Sequence, residues 1–241
     1  MDEYRGENRI VLRGQGLKAP APSHRNHGVD YYTLPLRVPR LSGVDDVLNL
    51  VTADPDPVLW APGRWVDVQG EVRSYNNRSG QGSKLVITVL VRSARPAAEE
   101  EGENRLTLAG ALCRRPTARR TPLGREICDL LLAVNRPYGR ADYLPCIAWG
   151  SLAAHCAGLD VGDRLRLEGR LQSRQYHKLI DGEQVERTAF EISVMSLLDS
   201  AEQAAARELG AERGRAQGRE AARRPARGGA KATERSADCG A

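Results

Sequence analysis

The stretch DYLPCIAWGSLAAHCAGLDVGDRLRLEGRLQSRQY, residues 142–176, decides the fold. It opens with a mostly apolar run over residues 143–149. A short segment at residues 151–156 then places its apolar residues at helical spacing. Over residues 163–171 leucines alternate with charged residues, and the series continues past Gly169. The pattern predicts a strand, a short helix and a long strand with one wet face that bends at the glycine.

That order of elements is typical of the middle of a small Greek-key barrel of the OB type. Tyr143 and Tyr176, near the two ends of the stretch, lie among arginines. An aromatic on the polar face of a basic strand has no core to fill. Its ring offers a flat surface to a nucleobase.

An internal repeat extends the prediction to the whole chain. Four segments recur in the same order. The first three recur at the same offset, and the fourth recurs at an offset that is three residues larger. The pairs are ENRIVLRG (7–14) and ENRLTLAG (103–110), TLPLRVPR (33–40) and DLLLAVNR (129–136), DDVLNLV (45–51) and ADYLPCI (141–147), and GRWVDVQGEV (63–72) and GDRLRLEGRL (162–171). We therefore predict an all-β chain of two tandem five-stranded OB-fold barrels, each with at most one short helix.

The predicted strands follow from the two copies. They are 8–17, 30–38, 45–53, 64–75 and 83–93 in the first barrel, and 104–113, 126–135, 142–149, 163–173 and 186–198 in the second. The predicted domains are a degenerate OB fold at 1–98, an acidic linker at 99–102, an OB fold at 103–198, and an Ala/Arg/Glu/Gly-rich tail at 199–241 that is disordered or partly helical.

The first barrel departs from the second in two places. Pro35 and Pro39 fall in its second strand, which predicts an edge strand or a local break. The helix segment is replaced by ADPDPVLWAPG, residues 53–63, where three prolines exclude a regular helix.

Residues 103–198 carry a motif series: an N-R opening strand, a T-P-x-G turn, A-V-N-R at a strand end, W-G-x-L-A at a helix start, and G-D-x-L-x-L-x-G-R-L in the long strand. This series resembles the bacterial single-stranded DNA-binding protein family. The resemblance implies sequence-independent binding of single-stranded DNA by OB folds. It also implies four barrels per functional unit, hence a homodimer of this two-barrel chain.

The resemblance places base-stacking aromatics at Tyr138, Tyr143, Trp149 and Tyr176. The alternative is that Tyr143 and Trp149 cap the barrel core. In the first barrel the aligned positions are Ser42, Val47, Ala53 and Asn77, so all four aromatics are missing there. Tyr75 aligns with Arg174 and offers a replacement ring, which leaves the binding role of the first barrel open.

A basic set accompanies the aromatics and is expected to neutralise phosphates. The alternative is an ordinary solvated face. Its members are Arg119, Arg136, Arg140, Arg170, Arg174 and Lys178.

Composition restricts the other classes of function. The net charge of +5 favours an anionic partner only weakly. Catalytic motifs, a cofactor site and a metal site are not evident; His24-x-x-His27 lacks a third ligand, and neighbouring His155 and Cys156 on a helix point in different directions. We therefore expect no enzyme activity and no cofactor.

The sequence also predicts a location. It has no apolar window long enough to span a membrane, and its N-terminus is polar. Four cysteines lie in apolar settings, as thiols in a reducing compartment do: Cys113, Cys128, Cys146 and Cys156. We therefore expect a cytoplasmic, nucleoid-associated protein.

The leading interpretation is a protein that binds and protects single-stranded DNA during replication, recombination and repair. The alternative is an OB-fold interaction scaffold of a replication or primosome-type assembly with weak DNA or RNA binding. The 2′-hydroxyl is not read by stacking, so RNA stays open as a ligand. Because the tail is slightly basic and lacks the acidic tip that the resemblance implies, partners that read such a tip are not expected to dock.

Overall fold

The computed structural model describes residues 7–77, 84–180 and 183–198, and the side chains of 178–180 and 183 lie outside that description. The tail, which the sequence predicts to be disordered or partly helical, and the tips of both long hairpins also lie outside it. The described residues form twelve strands and one α-helix: β1 Asn8–Gly16, β2 Ala21–Asn26, β3 Val29–Pro39, β4 Asp45–Thr52, β5 Trp65–Asn76, β6 Leu85–Pro96, β7 Glu103–Leu112, β8 Thr117–Arg120, β9 Glu126–Arg136, β10 Arg140–Trp149, α1 Ser151–Cys156, β11 Arg164–Ile180 and β12 Glu183–Leu198.

The strands close into two barrels of the same topology. In the first barrel β1 pairs with β5 and with β3, β3 pairs with β4, β4 runs parallel to β6, and β6 pairs with β5. In the second barrel β7, β9, β10, β12 and β11 repeat these pairings in the same order. The prediction of two tandem OB barrels is confirmed, with an added strand in each.

The added strands β2 and β8 lie where the sequence predicted loops. Every residue of both is exposed, so neither shows the alternation of apolar residues that reveals a strand. Backbone pairing to β3 and β9 holds them in place. At the β2–β3 turn, His27 (φ 48°) and Gly28 (φ 82°) are both left-handed, as a two-residue hairpin of the type I′ requires.

Strand β3 passes through Pro35 without a break. At Pro35 itself its only ladder partner is Asn49 of β4, so the strand is locally an edge there, one of the two outcomes that the proline predicts. The carbonyl of Pro35 accepts a hydrogen bond from the Leu17 amide at 3.0 Å. In a strand the N–H and C=O of one residue point to the same side. The missing N–H therefore falls in the gap between Thr33, the last partner of β2, and Leu36, where pairing to β1 begins.

The segment between β4 and β5 contains turns and no helix, as its prolines predict. Trp60 fills the place of the helix, 1% exposed, and donates its indole N–H to the carbonyl of Asp54 at 2.9 Å. In the second barrel, buried Ala153 and Cys156 of α1 occupy that end of the core.

The repeated asparagine of the ENR motif has a structural role. Asn8 exchanges two hydrogen bonds with the backbone of Val72, at 2.8 and 2.9 Å. Asn104 does the same with Leu171, at 2.6 and 3.1 Å. Each asparagine side chain thus joins the first strand of its barrel to the long strand just past the bulge. The repeated ENR motif therefore reflects the repeated architecture of the barrels.

The two barrels belong to one compact unit. Strand β1 pairs antiparallel with β7 from Asn8↔Leu108 to Arg13↔Glu103, which joins both barrels in one twelve-stranded sheet. Residues 97–102 connect β6 to β7.

Two clasps, related by the repeat, add side-chain contacts between the barrels. In one, buried Asp46 pairs with Arg40 of its own barrel and accepts the amide of Ser173 from the other at 2.7 Å. In the second, buried Asp142 pairs with Arg136 and accepts the amide of Ser74, also at 2.7 Å. Arg73 adds a second guanidinium to Asp142 at 2.9 Å.

Candidate nucleic-acid interface

The outer face of β10 carries part of the predicted aromatic set. Leu144, Cys146 and Ala148 point into the core, so the odd-numbered residues lie on the opposite face. Tyr143 and Trp149 therefore share one face, but six residues of strand separate them by about 20 Å. Tyr143 is 49% exposed and Trp149 is partly exposed.

Trp149 lines a groove with a volume of about 1230 Å3. One wall comes from the first barrel, at β4, and the others from the β8–β9 turn, β10, α1 and the β11–β12 pair. The lining residues used below are Arg40, Val44, Asp45, Val47, Asn49, Arg119, Arg125, Trp149, Arg170, Ser173, Arg174 and Glu191.

The charge of the groove is positive. Five arginines line it, against the carboxylates of Asp45 and Glu191. Arg119 is held by Asp129 at 2.5 Å, and this hydrogen bond raises its pKa. Hydrogen bonding to Asp46 likewise raises the pKa of Arg40. The hydrogen bonds to Asp129 and Asp46 hold the two guanidinium groups in place.

Two of the groove arginines have no carboxylate partner in the part of the chain that the structure describes. Neither Arg125 nor Arg170 forms an ion pair with any described residue. The Nε of Arg170 is buried and has no hydrogen-bond partner in the described part of the chain. A buried donor without an acceptor is costly. An anion in the groove would instead bind the rest of the Arg170 guanidinium.

The first barrel has the opposite charge at the position of Arg170. Glu71 aligns there and contacts Arg73 and Arg92. Burial raises the pKa of Glu71, but the hydrogen bond from Arg92 and the charge of Arg73 outweigh it and leave the pKa below its usual value. The first barrel thus neutralises this position internally, whereas the second has a cation there with no ion-pair partner among the described residues.

Comparison with known proteins agrees with this geometry. The sequence profile of the Single-strand binding protein family matches residues 103–198. Single-stranded DNA-binding protein 3 of Listeria innocua is 33% identical over 109 residues, which cover 42% of this chain and 68% of that protein. Single-stranded DNA-binding protein 2 of Streptococcus agalactiae is 30% identical over 112 residues, covering 44% of this chain and 84% of that protein. The chain belongs to the single-strand binding protein family.

Other members of the family match over less of their length. Single-stranded DNA-binding protein A of Bacillus subtilis is 36% identical over 80 residues, and the chain spans about half of its length, 46%. Among solved structures, the wild-type single-stranded DNA binding protein from Thermus aquaticus superposes with a TM-score of 0.65 at 23% identity, covering 95% of this chain and 98% of that one. That likeness supports the two-barrel fold.

Within this family fold, the structure divides the predicted binding residues into groups. Trp149, Arg119, Arg170 and Arg174 come together in the groove. Tyr143 and Arg140 lie at the other end of β10, beside β5 of the first barrel. Arg136 holds Asp142 in a clasp, which gives it a structural role that its sequence position did not reveal.

Tyr138 and Tyr176 lie on projecting segments. Tyr138 is fully exposed, with a left-handed φ of 66°, in the 3-10 turn Pro137–Gly139 between β9 and β10. Tyr176 lies on the β11–β12 arm, where the guanidinium carbon of Arg174 is 5.6 Å from its ring centroid. Arg174 is also 3.9 Å from Glu191. Lys178 belongs to β11, but its side chain lies outside the described residues.

Sequence reasoning missed the wall that the first barrel contributes. Arg40, Val47 and Asn49 line the groove although they are remote in sequence from the second barrel. Only the β1–β7 pairing and the clasps bring β4 against β11, and no motif encodes that contact. Arg125, in the β8–β9 turn, was missed because the turn carries no periodic signal.

The remaining candidate chemistry receives no support. No cluster of three potential metal ligands occurs among the described residues. His24 stacks on Tyr31, with ring centroids 5.0 Å apart, and this contact accounts for one histidine of the His24-x-x-His27 pair. In the same part of the chain no helix is long and apolar enough to span a membrane.

The cysteines are mostly as expected. Cys128, Cys146 and Cys156 are buried in the second barrel, and burial raises their pKa, to about 11 for Cys156. Cys113 is partly exposed, so its apolar setting in the sequence does not correspond to full burial. It lies just past the end of β7, where the strand leaves the core.

Proposed function

We propose that this chain binds single-stranded DNA without sequence specificity, by stacking bases and neutralising phosphates, and catalyses no reaction. The observation that carries the proposal is the groove of the second barrel. There a partly exposed tryptophan lines the same groove as two arginines that no described carboxylate neutralises. Rings accept any base and cations accept any phosphate, so the arrangement favours binding over sequence readout.

The proposed division of labour follows from the charges. Residues 103–198 form the main binding domain, and residues 1–98 form a degenerate OB domain that supplies the β4 wall, with 99–102 as the linker. The members of the family named above are called single-stranded DNA-binding proteins, and this supports the same ligand here. Protection of DNA in replication, recombination and repair, in the cytoplasm, is the role we assign on that basis.

We further propose that two chains associate, which would bring four barrels together. Closed dimers are the commonest assembly of identical chains. Light scattering at micromolar concentration should give the mass of a dimer; a monomer would remove this part of the proposal and leave the binding proposal intact.

A titration tests the binding itself. Single-stranded DNA, single-stranded RNA and duplex of equal length are added at two salt concentrations, and tryptophan fluorescence is followed. We expect tighter binding to single strands than to duplex, weakening with salt because neutralised phosphates release counterions. Equal affinity for duplex and single strand would contradict the proposal.

One variant identifies the reporter. The chain has three tryptophans, of which Trp60 is buried. Trp149→Phe should keep most of the affinity and lose most of the fluorescence quenching, whereas Trp149→Ala should lose about 1–3 kcal/mol of binding. Unchanged quenching in Trp149→Phe would mean that bases do not stack in the groove.

A further inference from the structure

The contacts between the barrels occur twice, related by the internal repeat. The amide of Val47 donates to the hydroxyl of Ser173 at 3.0 Å. At the related position the amide of Tyr143 donates to the hydroxyl of Ser74 at 2.7 Å. The arginine-lined groove includes Val47, Ser173 and the following residue, Arg174. The repeat therefore places Tyr143, Ser74 and Tyr75 together at the other boundary between the barrels.

We propose that Tyr75 and Tyr143 form a second base-stacking seat, built from both barrels, with Arg140 as its phosphate contact. The seat rests on the proposed function and extends it to the first barrel. Where the groove has Val47 and Arg174, the seat has two tyrosines.

The exposure of both rings supports a ligand. Tyr75 is 56% exposed and Tyr143 is 49% exposed. The backbone of Tyr143 is tied to Ser74, whose own amide is bound by buried Asp142, so the strands under the rings are fixed. Two aromatic side chains on a fixed backbone lose little conformational freedom when a base stacks on them.

Arg140 supplies the charge. It aligns with Val44, which lines the groove, and it is exposed at the start of β10. It forms no ion pair with any described residue, whereas Arg73 and Arg136 are both engaged by Asp142. Arg140 begins β10 three residues before Tyr143, so a phosphate next to a base stacked on Tyr143 can reach a cation that no described carboxylate neutralises.

The test uses the full chain and dT oligomers from roughly 4 to roughly 30 nucleotides, a range that brackets about 4–16 nucleotides per OB fold. Tyr75→Ala should weaken binding of the longer oligomers roughly 5- to 100-fold and leave the shortest, which the groove alone accommodates, within about twofold. Tyr75→Phe should bind like the unmodified chain. Val58→Ala, an exposed apolar residue of the same barrel, is the matched control and should change nothing.

A double-mutant cycle tests whether the two rings act as one seat. Tyr143→Ala keeps the backbone amide that bonds to Ser74, so the clasp survives the substitution. If one base contacts both rings, the double variant Tyr75→Ala/Tyr143→Ala should lose no more DNA affinity than the single variant with the larger loss. Losses that multiply would overturn the joint seat. Photocrosslinking to 5-iododeoxyuridine oligomers should recover a peptide that contains Tyr75.

The outcomes separate the seat from the proposed function. If the unmodified chain binds dT and Tyr75→Ala binds every length within twofold, the seat is wrong and the groove stands. If the unmodified chain does not bind dT, the proposed function fails first. If Tyr75→Ala dissociates a dimer in sedimentation without DNA and leaves DNA affinity unchanged, the rings contact a second copy and the seat is overturned.

Discussion

Arg170 shows how one residue can be poor for the fold and good for a ligand. Its Nε is buried without a partner, yet it lines the groove beside Trp149. In the free protein such a group costs free energy. Arg37 and Arg73 also have an unsatisfied Nε, so what distinguishes Arg170 is that it lines the groove and has no carboxylate partner among the described residues.

Arg170→Gln should therefore leave the free energy of unfolding unchanged or raise it, while weakening DNA binding. The salt slope of log affinity should fall in magnitude by about 0.7, the value for one phosphate contact on a single strand. Urea unfolding and a salt series measure the two effects. Arg166→Gln is the control, since Arg166 pairs with Glu7 at 2.6 Å and does not line the groove; an equal loss of DNA affinity in both variants would contradict the role of Arg170.

The buried thiols predict a pattern of chemical reactivity. Burial raises the pKa of Cys156 to about 11 and that of Cys128 above its usual value, so at pH 8 both remain protonated and shielded. In a Cys239→Ser background, a thiol reagent should label partly exposed Cys113 first. Cys128, Cys146 and Cys156 should react with the reagent only as fast as the second barrel opens. All three should react together when the protein unfolds. Rapid labelling of Cys156 in the folded protein would show that α1 opens on its own.

At the scale of elements, the two long strands bend where the sequence places a glycine. Register shifts occur between Gln69 and Gly70 in β5 and between Glu168 and Gly169 in β11. A Cβ at Gly169 would collide with the carbonyl oxygen of Ser193, and one at Gly70 with that of Leu90. The glycines permit the close approach of strands that closes each barrel.

Gly169→Ala should cost about 1–3 kcal/mol of unfolding free energy, since backbone must move to admit the methyl group. Gly158→Ala is the matched control, because its nearest neighbour is the His155 carbonyl oxygen at 3.6 Å. Chemical unfolding compares the two. If both cost the same, the bulge tolerates a side chain and the packing argument fails.

At the scale of the molecule, the clasps predict an asymmetry in stability. Asp142→Ala removes two ion pairs, with Arg73 and with Arg136, although Arg73 keeps its pair with Glu71. Asp46→Ala removes one, with Arg40. Breaking a buried pair costs about 3–5 kcal/mol, so both should be strongly destabilising and Asp142→Ala the more so. Asp160→Ala, which removes the exposed pair with Arg115, should cost under about 1 kcal/mol. The reverse order in urea unfolding would mean that the guanidinium groups find other partners.

The isolated second barrel, residues 103–198, should self-associate. Removing the first barrel strips β7 of its β1 partner and exposes an edge strand. Two copies can then pair β7 with β7 in the antiparallel sense that β1 and β7 adopt in the chain. Light scattering of the fragment should give a dimer; a stable monomer would show that the edge is protected without its partner and that 103–198 is an independent domain.

The sequence alone determined the fold class and the family. Leu165, Leu167 and Leu171 at strand spacing, the helix-spaced residues of α1 and the repeated ENR motif are local signals, and local geometry creates them. The sequence also identified Trp149, Arg170 and Arg174 as candidates. It missed β2 and β8, whose exposed residues have no burial pattern. It predicted an edge or a break at Pro35, and the local edge found there is a gap that only the pairing of three strands creates.

The tertiary structure decided which candidates act together. Arg136 became part of a clasp, Tyr143 was placed beside Ser74 of the first barrel, and Arg40 and Asn49 entered the groove of the second. These assignments depend on contacts between residues 69 to 127 positions apart, such as Tyr143 with Ser74 and Asp46 with Ser173. Periodicity reports on which face of its own strand a residue lies. It carries no information on which distant strand that face will meet, because that is set by the pairing of β1 with β7.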